Sequence, residues 1–118
     1  MSSSSSQTVR NERVERVTSY IEKNIGEIET AREVATVVDV SYETLRKQFR
    51  RQKKIPLGKF IRQVRIDEAR WLLLETDEPV YVICWKVGFS SDSNGIRAFK
   101  RHTGMTMGEY RRQYKKED

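Results

Sequence analysis

Apolar residues recur along most of this chain at intervals of three and four, the spacing that gathers them on one face of a helix. The pattern starts at Val9 and runs through Val14, Val17, Tyr20, Ile21 and Ile25, with Gly26 placed as a C-terminal stop. Thr30 and Glu33 have the spacing of a capping box and open a short helix bearing Val34, Ala35 and Val38. Asp39 and Val40 make a turn. Ser41 is then a natural cap for the next helix, whose inner face carries Leu45 and Phe49 four apart. Pro56 reads as a helix start, and residues 57–75 are the longest amphipathic stretch, with Phe60, Ile61, Val64, Ala69, Leu72 and Leu73 as its apolar stripe. Pro79 opens a short helix carrying Val80, Ile83, Cys84 and Val87, ended by Gly88. Another helix runs from the cap region at Ser90–Asn94 through Phe99 to about Thr103, where Gly104 stops it. Thr106 and Glu109 form a second capping-box pattern ahead of a last helix ending at Tyr114. Alternating strand patterns of useful length do not occur, so the predicted class is all-α. Residues 1–8, serine-rich and aperiodic, are expected to form a disordered tail or linker remnant, and 115–118 a charged tail.

The chain also repeats itself. Shifted by fifty, Ser41, Lys47, Phe49, Arg50, Arg51, Gly58 and Phe60 fall on Ser91, Arg97, Phe99, Lys100, Arg101, Gly108 and Tyr110. Upstream of the serines the shift is forty-nine, and Val34, Ala35, Val38 and Val40 fall on Ile83, Cys84, Val87 and Phe89. Each copy reads as a short helix, a turn and a longer basic helix, which is the helix-turn-helix plan. The expected domain covers 9–114, with a first unit at about 30–54, a linker helix at 56–76 and a second unit at about 79–103. In each unit a small residue, Ala35 or Cys84, lets the helices cross closely. An inner aromatic, Phe49 or Phe99, anchors the second helix so that its opposite, basic face projects outward. A helix over 57–75 would be roughly 29 Å long at about 1.5 Å per residue, against ~34 Å for one turn of B-DNA. The expectation is that both recognition helices, about 41–53 and 91–102, address successive major grooves on one face of a duplex.

Charge supports that expectation. With 118 residues, 36% hydrophobic and 34% charged, the chain holds one compact domain or two very small ones, with a core built from amphipathic elements. Its net charge of +6 is unevenly spread. Residues 41–66 carry nine basic side chains against Glu43, and 93–116 carry seven against Glu109, whereas 67–92 hold six acidic and two basic. Two positive blocks about fifty residues apart fit two contacts with a polyanion. One cysteine, Cys84, and one histidine, His102, leave no internal disulfide, metal cluster or nucleophile–base pair. No catalytic residue, cofactor or metal is therefore expected. Lacking a long apolar run or a signal peptide, the chain is expected in the cytoplasm, associated with the nucleoid and not with membrane.

The ordered set Ala35…Ser41-x-x-x-Leu45-x-x-x-Phe49-Arg50, Arg65-x-x-x-Ala69-x-x-Leu72-Leu73, Ile83-Cys84-x-x-Val87-Gly88-Phe89, Arg97-x-Phe99-Lys100 and Gly104-x-Thr106-x-x-Glu109-Tyr110-Arg111 resembles the DNA-binding domain of AraC/XylS transcriptional regulators over about residues 10–112. The resemblance implies seven helices, two helix-turn-helix units joined by a long linker helix, and a bacterial transcription regulator that can touch RNA polymerase. Three positions depart from the family pattern. Gly95 stands where a core Phe or Leu is usual, Met107 where a proline is, and Cys84 where an alanine is. Glycine at 95 costs roughly 1 kcal/mol in helix propensity and leaves a hole or forces repacking. Whether Ile96 turns inward to fill that hole stays open in the sequence.

Mapped onto the two units, the groove-facing candidates are Tyr42, Glu43, Arg46 and Lys47, then Asp92, Ser93, Asn94 and Arg97. Arginine can bond two acceptors on guanine, asparagine a donor–acceptor pair on adenine, and a carboxylate the amino group of cytosine. Glu43 and Asp92 either read cytosine or favour the helix N-terminus; Arg46 and Arg97 read bases or hold phosphate. Arg50, Arg51, Lys53, Lys54, Lys100 and Arg101 are expected phosphate anchors, which position without specifying. Ser41, Ser91 and Thr106 offer N-terminal amides to phosphate, though capping alone accounts for them. Trp71 and Trp85 are expected to serve packing and not ligand stacking, and Arg65 either is solvated or joins the two units through an ion pair. The expected partners are double-stranded DNA and, as the resemblance implies, RNA polymerase, and the isolated domain is expected to be a monomer. Competing readings are a nonspecific nucleic-acid binder and a polymerase-docking module. An effector pocket has no room here, so the chain is a short stand-alone regulator or part of a longer one.

Overall fold

A computed structural model describes residues 2–116, with side chains from Gln7 onward. Six α-helices follow one another: α1 (Ser2–Lys23), α2 (Tyr42–Lys53), α3 (Leu57–Glu75), α4 (Val80–Lys86), α5 (Asp92–Thr103) and α6 (Met107–Tyr114). A 3-10 turn at Ile25–Glu27 and an eight-residue 3-10 helix at Ala31–Val38 lie between α1 and α2. Counting the longer 3-10 helix, the fold is seven-helical, and no strand occurs among the described residues. The chain divides into two compact units, one ending at Ile61 and the other starting at Arg62. That boundary lies inside α3, so the helix read as a linker contributes its first turn to one unit and its remainder to the other.

In the first unit Val14, Val17 and Ile21 of α1, Val34, Ala35 and Val38 of the 3-10 helix, and Leu45 and Phe49 of α2 are buried. Their spacing of three and four makes each helix one-sided. Phe49 meets Phe60 with ring centroids 5.2 Å apart and planes tilted by 56°. Helix α1 begins at Ser2 and not at Val9, so residues 2–8 are helical where a disordered tail was expected. Extending an existing helix costs far less than starting one, and Gln7 bonds Asn11 and Arg10 along its surface. Val9, read as the first core position, is 52% exposed. The predicted Thr30 capping box does not form. Thr30 has no side-chain cap bond, and the Glu33 carboxylate instead accepts the Glu29 N–H at 3.0 Å.

The second unit closes around Ile66, Ala69 and Leu73 of α3, Ile83 and Cys84 of α4, Val87, Phe99 of α5 and Met107 of α6. Tyr110 meets Phe99 edge to face at 5.4 Å and 87°. Burying a large apolar side chain stabilises by about 1.5–3 kcal/mol, so this cluster fixes α4 and α5 on α3. Arg65, 8% exposed, donates from Nη1 to the Val87 carbonyl at 2.9 Å and ties α3 to the turn after α4. That bond lies within the second unit and goes to a backbone acceptor. The other end of α3 is closed by α6: Arg111 donates to the Leu73 carbonyl at 3.0 Å and the Thr76 carbonyl at 3.1 Å. Lys115 donates to the same Thr76 carbonyl at 2.6 Å and pairs with Asp77. The Thr106–Glu109 capping box forms as predicted, with both bonds at 3.1 Å. Trp71 and Trp85 are 55% and 75% exposed, so neither is a core residue.

Candidate nucleic-acid interface

The two helix-turn-helix units are built by the same backbone devices. Asp39 and Gly88, forty-nine apart, both turn the chain through positive φ, at 56° and 88°. The two turns share a matching bond, Val40 N–H to the Ala35 carbonyl at 3.5 Å and Phe89 N–H to the Cys84 carbonyl at 3.1 Å. Ser41 Oγ accepts the Thr44 N–H, and Ser91 Oγ the Asn94 N–H, both at 3.1 Å. These caps start α2 and α5 at equivalent positions, satisfying amides that would otherwise lack partners. At the far ends Lys54 (φ 63°) and Gly104 (φ 81°) are left-handed caps whose N–H groups return to the Arg50 and Lys100 carbonyls. The repeat read from the sequence is therefore a repeat of geometry. Each recognition helix has its start, inner anchor and end at matching positions.

On α2 the inner residues Leu45 and Phe49 are buried, while Glu43, Arg46, Lys47, Arg50 and Arg51 face solvent. Arg46 bonds Glu43 at 3.1 Å, one turn back along the helix. That hydrogen bond and the Arg46 charge hold the Glu43 carboxyl below its usual 4.5, with smaller help from Lys47 and Arg32. Glu43 is thus engaged with Arg46, and the N-cap duty belongs to Ser41. Tyr42 is half-buried, with the Arg32 guanidinium 4.8 Å above its ring. Lys53 pairs with Glu15 at 2.6 Å and is partly covered, whereas Lys54 is exposed.

On α5 the outward residues are Asp92, Ser93, Asn94, Ile96, Arg97, Lys100 and Arg101. Asn94 donates to Ser90 Oγ at 2.6 Å and accepts from Arg97 at 3.1 Å, so the two candidate base readers form one hydrogen-bonded string. Gly95 is buried beneath them. A Cβ placed there would lie 2.8 Å from Cys84 Sγ and 2.9 Å from Phe89 Cδ2. The hole expected at Gly95 is therefore filled from α4 and its turn, and Ile96 does not swing inward; it is 42% exposed. Burial, reinforced by Asp92, raises the Cys84 thiol above its usual 9.0 and keeps it protonated. Thr106 spends its hydroxyl and amide on Glu109.

Sequence reasoning overlooked Arg32, which covers Tyr42, and Ile96 as a surface residue. The second was recoverable, since Ile96 lies fifty after Arg46 in the same repeat that brought Lys47 onto Arg97. Among the described residues, no group of three or more His, Cys, Asp or Glu side chains could hold a metal ion, and no helix is long and apolar enough to cross a membrane.

A family profile described as a helix-turn-helix domain matches residues 34–113, most of the chain and both units. The bifunctional transcriptional activator/DNA repair enzyme AdaA of Bacillus subtilis (strain 168) is 32% identical over 105 residues. A transcriptional regulator of Chromobacterium violaceum, of the proteins containing an AraC-type DNA-binding domain, has a similar solved structure. Its TM-score is 0.79 at 27% identity, covering 87% of this chain and 92% of that one. The chain belongs to the AraC-type helix-turn-helix DNA-binding domain family. The C-terminal domain of AraT, a response regulator from Geobacillus stearothermophilus, has this AraC-type fold too. It superposes with a TM-score of 0.84 at 27% identity, over 90% of this chain and 88% of its own. The match to AdaA takes in 89% of this chain and 50% of AdaA. The AraC-type domain of this chain thus spans half the length of that relative.

Proposed function

We propose that this chain is the DNA-reading part of a bacterial transcription regulator, binding a specific duplex sequence with α2 and α5 in successive major grooves. The observation that carries this reading is the pair of capped helices, each anchored by a buried aromatic and each exposing basic and hydrogen-bonding side chains. Arg46, Lys47, Asn94 and Arg97 stand where base edges would lie, with Tyr42, Glu43, Asp92 and Ser93 beside them. Arg46 and Arg97 are each held by a neighbour one turn back, which reduces the side-chain entropy lost on binding. Arg50, Arg51, Lys54, Lys100 and Arg101 form the phosphate-binding flanks, with the amides at Ser41, Ser91 and Thr106 as lesser donors. Lys53 adds to the flank once it leaves Glu15. In this reading the role is non-enzymatic, and the repair activity in AdaA's name is not carried over. Contact with RNA polymerase, which the family resemblance implies, a monomeric domain and association with the nucleoid complete the proposal.

Selection of bound duplexes from a random pool tests it. The expected motif has two conserved islands about one helical turn apart. Arg46→Ala should relax base preference in one island and Arg97→Ala in the other, each costing about 1–3 kcal/mol. Removing Lys100 or Arg101 should leave preferences intact and lower the salt slope by about 1. A single island refutes the two-groove mode. Binding abolished by excess random duplex establishes the nonspecific reading, and unchanged affinity in the double arginine variant favours polymerase docking.

A further inference from the structure

The outer face of α5 carries one large apolar side chain among its polar ones. Ile96, 42% exposed, lies between Asn94 and Arg97, which bond each other across the turn. It is not surplus core. The inward position beside it belongs to Gly95, and the space a side chain would take there already holds Cys84 Sγ and a Phe89 ring carbon, within 3 Å of where a Cβ would stand. Nor is its position on the helix arbitrary. Ser41 and Ser91 cap their helices with the same bond at the same length, so Ile96, five residues after its cap, occupies the place that Arg46 occupies on α2. There the first unit presents a charged donor, and the second presents a branched hydrocarbon.

A hydrocarbon in a major groove cannot pair with base oxygens, nitrogens or amino groups. The one apolar feature a base edge offers is the C5 methyl of thymine. Building on the DNA-reading function above, we propose that Ile96 is a specificity-determining residue that recognises a pyrimidine 5-methyl group, that of thymine. Arg97 and Asn94 supply hydrogen bonds to the neighbouring base edges. The two units then differ in what they read at one shared position: the first takes a hydrogen-bonding edge through Arg46, the second a methyl. The same methyl occurs on 5-methylcytosine, and the experiment separates the two sources.

The test uses the duplex selected by the wild-type chain, with each thymine replaced in turn by deoxyuridine, which removes the methyl and nothing else. At one position the wild type should lose about fourfold in affinity, the worth of one buried methyl-sized group. Ile96→Ser should bind both duplexes equally at that position. Serine has nearly the helix propensity of isoleucine and the site is exposed, so a thermal melt should show the variant folded. Ile96→Arg should shift the preferred base there from thymine to guanine. Replacing that thymine–adenine pair with cytosine–guanine should weaken binding. If 5-methylcytosine restores it fully, the assignment to thymine is overturned in favour of the methyl alone; partial recovery supports thymine. Insensitivity of the wild type to every deoxyuridine swap, or equal sensitivity in Ile96→Ser, overturns the proposal and leaves the DNA-reading function standing. Failure to select any motif removes both.

Discussion

At the scale of single residues, Gly95 shows how a departure from a family pattern can be settled by its neighbours. An exposed helical glycine replaced by alanine ordinarily gains about 1 kcal/mol. Here the new Cβ would press on Cys84 Sγ at 2.8 Å and Phe89 at 2.9 Å, and overpacking costs about 1–3 kcal/mol. Gly95→Ala should therefore lower the denaturant midpoint despite its better propensity. Adding Cys84→Ala should recover at least half of the loss, because the two side chains compete for one space; a Gly95→Ala protein more stable than its parent would refute that account. The sequence showed that 95 and 84 were both unusual, but not that they compensate, since that depends on how closely α4 crosses α5. Trp71 and Trp85 are a different case. Aromatic character pointed to packing, yet Ile66, Ala69 and Leu73 fill one face of α3, and Ile83 and Cys84 one face of α4. Both tryptophans lie on the opposite sides, so helical periodicity alone would have placed them outside.

At the scale of elements, most of the fold was legible because the repeat, the serine caps and the apolar stripes all agree on the same boundaries. Helix α3 ends within one residue of its predicted limits. Left-handed backbone was legible at Gly88 and Gly104, where glycine signals it, and hidden at Asp39 and Lys54, whose residue types do not demand it. The Thr30 box failed because its helix winds as 3-10 and its carboxylate serves Glu29. Lys54 yields a prediction that separates stability from recognition. A non-glycine residue in the left-handed region costs roughly 1–2 kcal/mol, and glycine loses part of that advantage through its greater unfolded-state freedom. Lys54→Gly should thus raise thermal stability modestly, by about 0.5–1 kcal/mol, while weakening DNA binding more at low salt than at high salt. Paired melts and titrations would check both halves.

At the scale of the whole molecule, charge and stability are linked through three carboxyls. Glu43 is held below 4.5 by Arg46, Asp77 below 3.8 by its bond to Lys115, and Glu109 below 4.5 by its bonds to Thr106. A carboxyl depressed in the folded state stabilises fully above its unfolded value, and that contribution is lost as pH falls through the folded value. Stability should therefore be flat near neutrality and decline below about pH 4.5, as net charge climbs from +6. Because all three groups are solvent-exposed, screening keeps each contribution small. Melting temperatures measured from pH 7 to 3 should fall less steeply when Glu43 and Glu109 are changed to glutamine and Asp77 to asparagine. An unchanged slope would show that other groups govern the acid response.

The bonds from Arg111 to Leu73 and Thr76 carry a consequence for synthesis on the ribosome. The carbonyls that end α3 emerge 35 to 38 residues before the guanidinium that satisfies them. The first unit is fully synthesised by Ile61 and can mature early in translation. Its successor stays unfinished until α6 leaves the exit tunnel, so nascent chains stalled between these points would expose one completed reader and one still open.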